Sequence, residues 1–404
     1  MITHRYGSAR RRLAGLYSRV PWWAKILVIF ALSRIVSTTM LLIFAAQQPA
    51  VPGWISQHPG LVEYSALWDG QWYWRIALYG YPAELPLDSG GNITENAWAF
   101  MPVFPVLVRA ISLVTFLPWP AVASLVSLIF GCATVLLFYR LMLRYISESQ
   151  SLFAVALYCF APVSVLIQVA YAESMVAFLL TLALWLLVRR DYAWMFPVVG
   201  VMSLTRPVGL AFALLLGLWW LLRVLRRARD PFPPREAIVT ALLGLFTAGM
   251  GFLWPAVAWV VTGSITAYTD TELAWRRPYV GDQHLVPFTP WFQGANWWVG
   301  SSWGSILLVL VLLAVVACFW LPQVRRLGIE LRLWCISYGV YLLAVFFPQS
   351  STFRMLMPLF PLLGAIAQPS SKIYRTVLIG ISIYGQWVWN NFMWAISLHD
   401  WTPP

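Results

Sequence analysis

Charge is scarce in this chain, and acid is scarcest. Of 404 residues, 10% are charged, and only 15 are Asp or Glu. Soluble domains carry about 25% charged residues, so an ordinary water-facing globular surface is excluded. Cysteine is limited to Cys132, Cys159, Cys318 and Cys335, scattered through apolar stretches. That excludes a disulfide framework and a cysteine metal motif. His4, His58 and His399 have no ligand-like companions. Walker A, HExxH and Rossmann glycine patterns are all missing, which argues against ATP-driven transport and zinc-protease chemistry. No external Asp-x-Asp occurs, so no metal is required, and no cofactor is expected.

What the chain has instead is apolar bulk. Hydrophobic residues make up 60% of it, and Trp occurs 25 times. Apolar blocks long enough to cross a bilayer recur along its length. Trp concentrates where membrane helices meet headgroups. Helices are the expected spanning element, because a lipid-exposed strand edge leaves backbone groups unpaired. The basic N-terminal segment Met1–Arg19 lacks the apolar core and small-residue site of a cleaved signal peptide.

The formal charge of +12 is a topology signal. Basic clusters at Arg5–Arg19, Arg140/Arg144, Arg189/Arg190, Arg223–Arg235, Arg325–Arg332 and Lys372/Arg375 all fit on one side, which should be cytoplasmic. With Lys25 that side holds 20 of the 27 basic residues, whereas 10 of the 15 acids fall elsewhere. Anionic lipid headgroups account for such clusters. Nucleic acid is not an expected partner, since no soluble basic surface is visible.

This pattern predicts an all-α polytopic membrane protein in a single integral membrane domain, 1–404. About nine full spans are expected, plus a broken-helix hairpin at 193–225 where Thr205-Arg206-Pro207 interrupts an apolar run. A cytoplasmic basic tail covers 1–20, a first external loop with interfacial helices 47–120, and a second external loop 262–302. The spans near the middle include a tight hairpin of Ser151–Gln168 and Tyr171–Val188, and the later ones include Phe353–Ala367. The C-terminus should lie outside.

The run Trp68-Asp69-Gly70-Gln71-Trp72-Tyr73-Trp74-Arg75 stands just outside the first span. Helical spacing puts Trp68, Trp72 and Arg75 on one face and Asp69 with Tyr73 on another. Gly80-Tyr81-Pro82 ends the helix. Asp69 is either the N-cap of an interfacial anchor or a general base within reach of a hydroxyl nucleophile. Arg206, at a proline break, is either half of an internal ion pair or a phosphate ligand beside a helix N-terminus. Arg354 neutralises the same anion or snorkels. Glu173, in Tyr171-Ala172-Glu173-Ser174, is a helix N-terminal acid, or holds an arginine or sugar hydroxyls. Arg34, deep in the first span, has a structural partner or a substrate. His284, in the second external loop, is a candidate substrate contact.

Five segments share a family pattern: WDGQWYWRIALYGYP at Trp68–Pro82, AFMPVFPVLVR at Ala99–Arg109, YAES at Tyr171–Ser174, SLTRPVGL at Ser203–Leu210 and FRMLMPLFPLLG at Phe353–Gly364. In this the chain resembles the bacterial branch of the GPI mannosyltransferase 2 (PIG-V) family of integral membrane glycosyltransferases. The resemblance implies a GT-C fold, a first-loop acid at Asp69, and an active site facing away from the cytoplasm. It also implies a polyprenyl- or dolichyl-phosphate mannose donor. If the chain is bacterial the GPI acceptor is not carried over, which leaves a glycolipid, glycan or protein hydroxyl as acceptor. On that basis the donor tail lies between helices among membrane lipids, its phosphate meets Arg206 and Arg354, and Trp68, Trp72, Tyr73, Glu173 and His284 contact substrate. A flippase or transporter of lipid-linked sugar is the competing reading, since the same broken helix and buried arginine bind an anion for transport. A non-catalytic assembly subunit is the third.

Overall fold

The computed structural model describes residues 20–396. The basic tail up to Arg19, His4, His399 and the end of the chain lie outside the described residues. Within them regular structure is helical, relieved only by isolated bridges between Val51 and Ile55 and between Leu87 and Ile93. The principal helices are α1 (Trp22–Gln47), α2 (Asp69–Tyr79), α3 (Val103–Thr115), α4 (Trp119–Met142), α5 (Glu148–Phe160), α6 (Glu173–Arg189), α7 (Tyr192–Ser203) and α8 (Gly209–Leu225). They continue as α9 (Pro234–Thr262), α10 (Ala267–Ala274), α11 (Pro290–Val299), α12 (Trp303–Cys318), α13 (Gly328–Val345), α14 (Thr352–Met355) and α15 (Lys372–Trp389).

Four of these, α1, α4, α9 and α13, are long and apolar enough to cross a membrane by themselves. Shorter apolar helices include α3, α7, α8 and α12. Helices α4 and α6 pack together, α8 packs on α9 and α13, and α7 joins α6 to α9. Their inward faces form one large apolar core that includes Tyr73, Phe104, Phe138, Phe212 and Trp334, all fully buried. Their outward faces keep residues such as Leu245, Val260 and Leu313 exposed, as lipid-facing helices do.

Two expected spans take a different form. Pro162 follows the end of α5 at Phe160, because a residue before proline is driven out of helical backbone. The chain then runs through 161–172 as irregular structure and a short 3-10 turn at Ser164–Ile167, almost wholly buried. Backbone of this kind is tolerated at depth only where protein satisfies it. Arg34 does so: its guanidinium donates to the carbonyls of Ser164 at 2.7 Å and Cys159 at 2.8 Å, and to Gln168 Oε1 at 3.2 Å. Ser127 Oγ donates to the Tyr171 carbonyl at 2.9 Å, and Ala170 N–H to that of Ser65 at 3.0 Å. The stretch 353–367 is likewise broken, into α14, a 3-10 helix at Met357–Leu362 and a short turn at Leu363–Ile366. Pro358 and Pro361 remove the N–H donors an α-helix needs there.

Candidate functional site

Three irregular backbone segments converge on one charged cluster. The first is the entry to α2. Trp68 has φ 56° and ψ −119°, a conformation a bulky residue adopts only under constraint, at a cost of about 1–3 kcal/mol. Its indole holds it there, donating to the Trp394 carbonyl at 2.8 Å. The turn makes Asp69 the first residue of α2 rather than its cap. Asp69 N–H donates to the Tyr171 hydroxyl at 3.1 Å. At the other end Gly80, φ 74°, closes the helix.

The second segment is the irregular stretch before α6, which places Glu173 in the first turn of that helix. The third is the break between α7 and α8, where Arg206 sits between Thr205 and Pro207. Arg354, on α14, completes the group. Arg206 pairs closely with Glu173 and lies 3.7 Å from Asp69 Oδ2. Arg354 pairs closely with Asp69 Oδ2 and lies 3.6 Å from Glu173 Oε1. Its guanidinium carbon also stands 5.5 Å over the Tyr171 ring. Side-chain exposures are 13% for Asp69 and Arg206, 5% for Glu173 and 7% for Arg354. Two cations and two anions thus share one nearly dry site with no net charge.

The cluster is incompletely satisfied. Glu173 Oε2 and Arg354 Nε are buried without a hydrogen-bond partner, as is the Tyr73 hydroxyl. Tyr73 is within electrostatic range of all four charged residues, and burial pushes its phenol above the ordinary range. The shortest contact in each Asp69 ion pair is made by Oδ2.

The charged residues form one wall of a cavity of about 500 Å³. An apolar part of its lining includes Val176, Ala177, Leu180, Leu210, Phe252 and Pro255. Another wall comes from α10 and the residues just after it, with Tyr268, Glu272, Trp275 and Arg276. A largely apolar pocket with a few convergent polar groups is the usual form of a small-molecule site. No group of three or more His, Cys, Asp or Glu able to hold a metal occurs among the described residues.

The other expected contacts divide. Tyr73 adjoins the cluster. Trp68 is buried against Trp54 and does not line the cavity. Trp72 stacks on Phe100 at 5.7 Å and meets Trp275 edge-on at 6.0 Å, one layer behind the cavity wall. His284 is exposed and outside the lining. Arg34 supports the 161–172 segment and has no cavity contact. Sequence reading missed Tyr171, Tyr268, Glu272 and Arg276. A signal for the last three was present: Tyr268, Glu272 and Arg276 are spaced by four, which puts them on one helical face.

Fold and site define an all-helical membrane protein with a neutral ion cluster at the wall of an internal cavity. No protein-family model matches the chain, and no curated protein matches it. Among solved structures it is similar to the Archaeoglobus fulgidus oligosaccharyltransferase tethered with an acceptor peptide, at 12% identity and TM-score 0.44, over 90% of this chain and 54% of that one. It is similar also to archaeal AglB from Archaeoglobus fulgidus in complex with an inhibitory peptide and a dolichol-phosphate, at 13% identity and TM-score 0.46, over 95% and 57%. The chain spans little more than half the length of these two proteins. Likeness this distant leaves the chemistry to the chain's own residues.

Proposed function

We propose that this chain is an inverting GT-C glycosyltransferase. It moves mannose from a polyprenyl-phosphate donor to a hydroxyl acceptor at the extracytoplasmic face. The observation that carries the reading is the pairing of Arg206 and Arg354 with Asp69 and Glu173 at the wall of a cavity with an apolar lining. The motif resemblance supplies the sugar and the lipid. The donor tail packs against the Val176–Leu180 face of α6, Leu210 and Phe252. Its phosphate takes guanidinium N–H donors, including the unpartnered Nε of Arg354, in the charge-assisted geometry that arginine favours.

The acceptor oxygen attacks the anomeric carbon from the face opposite the phosphate. The new carbon–oxygen bond forms as the sugar–phosphate bond breaks, and the bonding pair leaves with the lipid phosphate. Positive charge beside that leaving oxygen stabilises the transition state. The acceptor proton passes to Asp69. The donor phosphate draws the guanidinium groups toward itself, which loosens their hold on Asp69 and frees its carboxylate to take that proton. In-line attack inverts the anomeric centre, so a β-linked donor yields an α-mannoside.

In this topology the N-terminus is cytoplasmic, and the C-terminus and the site face the other way. Reconstitution with radiolabelled polyprenyl-phosphate mannose and a membrane-lipid extract tests the reading. Labelled product supports the transferase. Donor crossing the bilayer without transfer identifies a flippase, and neither outcome leaves a non-catalytic subunit.

A further inference from the structure

Three carboxylates line the cavity, and they are not equivalent. Asp69 and Glu173 are locked into ion pairs with Arg206 and Arg354. Glu272, reaching the cavity from α10, has no ion pair within 4 Å among the described residues. Tyr268, one turn earlier on the same helix, lines the wall beside it. Arg276, one turn further on, makes no ion pair with it: its guanidinium donates to the Val345 carbonyl at 3.0 Å. Glu272 therefore offers oxygen lone pairs to whatever enters beside Asp69, and no cation competes for them directly. The Trp275 ring lines the same wall, and it is braced edge-on by Phe100 and Trp72 at 5.9 and 6.0 Å. A carboxylate and a phenol on one short helix, with a flat apolar ring at its end, suit a neutral polyol, with hydroxyl groups for the acid and a C–H face for the ring.

From this wall we infer that Glu272, with Tyr268 and Trp275, forms the acceptor subsite and accepts a hydrogen bond from a sugar hydroxyl next to the one that attacks. The inference rests on the transferase reading for the word acceptor, but the binding site does not depend on turnover. The acceptor is then a neutral carbohydrate, free or lipid-linked, rather than a protein side chain.

The groups facing Glu272 are Tyr268 and Arg276 from its own wall, Tyr341 from α13, Arg206 from the α7–α8 break and Asp69 from α2. Burial pushes the Glu272 carboxyl up to about 7, against smaller opposing effects of Tyr268, Arg276 and Arg206. An ionised acceptor makes the stronger hydrogen bond. Sugar affinity should therefore rise as pH increases through 7 and fall below it.

The test is a binding titration with methyl α-mannoside, followed by tryptophan fluorescence on donor-free wild type and Glu272→Gln, a near-isosteric change. Wild type should bind about tenfold tighter at pH 8 than at pH 6. Glu272→Gln should bind about tenfold more weakly than wild type at pH 8 and show no pH dependence. Absence of saturable binding in wild type, or equal affinities and pH profiles in the two proteins, overturns the subsite. Radiolabelled transfer is scored separately. A protein that binds methyl α-mannoside through Glu272 but transfers nothing keeps the subsite and loses the transferase reading. A protein that transfers mannose with methyl α-mannoside affinity unmoved by Glu272→Gln loses the subsite alone.

Discussion

Arg206 cannot be removed without consequence for Glu173. That carboxylate is 5% exposed and has its Oε1 on Arg206 and a buried, unpartnered Oε2. Breaking a buried pair by deleting one partner costs about 3–5 kcal/mol, because the remaining charge stays uncompensated. Arg206→Ala should therefore lose both stability and donor binding. Adding Glu173→Gln should restore most of the stability without restoring donor binding. A thermal-unfolding series with a polyprenyl-phosphate binding assay on the two single variants and the double variant checks this. Donor affinity that returns with stability would reduce the pair to a structural role. The two alternatives legible at Arg206, ion pair and phosphate ligand, thus describe one residue. Its pairing was not readable from sequence, because Asp69, Glu173 and Arg354 are brought to it from three separate breaks in the helical pattern.

At the scale of elements, those breaks are what build the site. Each of the segments 161–172, 204–208 and 346–351 leaves the helix with a proline in it, and the cavity-wall residues Glu173, Arg206 and Arg354 stand just after the first, within the second and just after the third. Proline positions were visible in the sequence, and they located the Arg206 break. The 161–172 break was not visible, because its residues are apolar and read as a continuation of the α5 span. Only tertiary contact shows that Arg34, in α1, supplies the donors its carbonyls need. Arg34→Gln leaves at least one of those buried carbonyls unpaired, at about 1–3 kcal/mol for each. It should lower thermal stability and transfer activity in parallel, with no selective change in donor affinity. A selective loss of donor binding at unchanged stability would place Arg34 in the binding machinery instead.

Over the whole molecule, the proposed orientation rests on the charge asymmetry of the sequence. The segments 47–120 and 262–302 are tied to each other: Arg277 pairs with Asp88 at 3.2 Å and closely with Asp282, and donates to the Ile93 carbonyl at 2.9 Å. Asn92 and Gly90 N–H groups hold the Asp88 carboxyl below its usual range. Its share of the tie is present above the ordinary carboxylate pKa of about 4 and is lost as pH falls through the depressed native value. Because Asp88 and Asp282 form this tie, topology is better probed at Ser89 and His284, both exposed. Single cysteines there, in a Cys318→Ser background that removes the exposed native thiol, should react with an impermeant maleimide in intact cells. Labelling that requires membrane disruption would invert the topology. Composition made the helical membrane class legible, and helix phase made the Asp69 face legible. Glu272 was not legible, because one acid in a short helix acquires meaning only when packing turns it inward.

In the proposed reaction Asp69 takes the acceptor proton. Asp69→Asn preserves the shape of the side chain and removes its negative charge, which leaves the Arg206–Arg354–Glu173 group with a net positive charge. Donor phosphate should then bind at least as tightly as in wild type, while a proton acceptor is missing. The measurement is single-turnover mannosyl transfer in reconstituted vesicles, wild type against Asp69→Asn, at equal folded fraction and equal donor occupancy. Loss of the base should lower the rate by at least about 10²-fold, the scale of general-base loss, with donor binding retained. Near-equal rates at matched occupancy would contradict it.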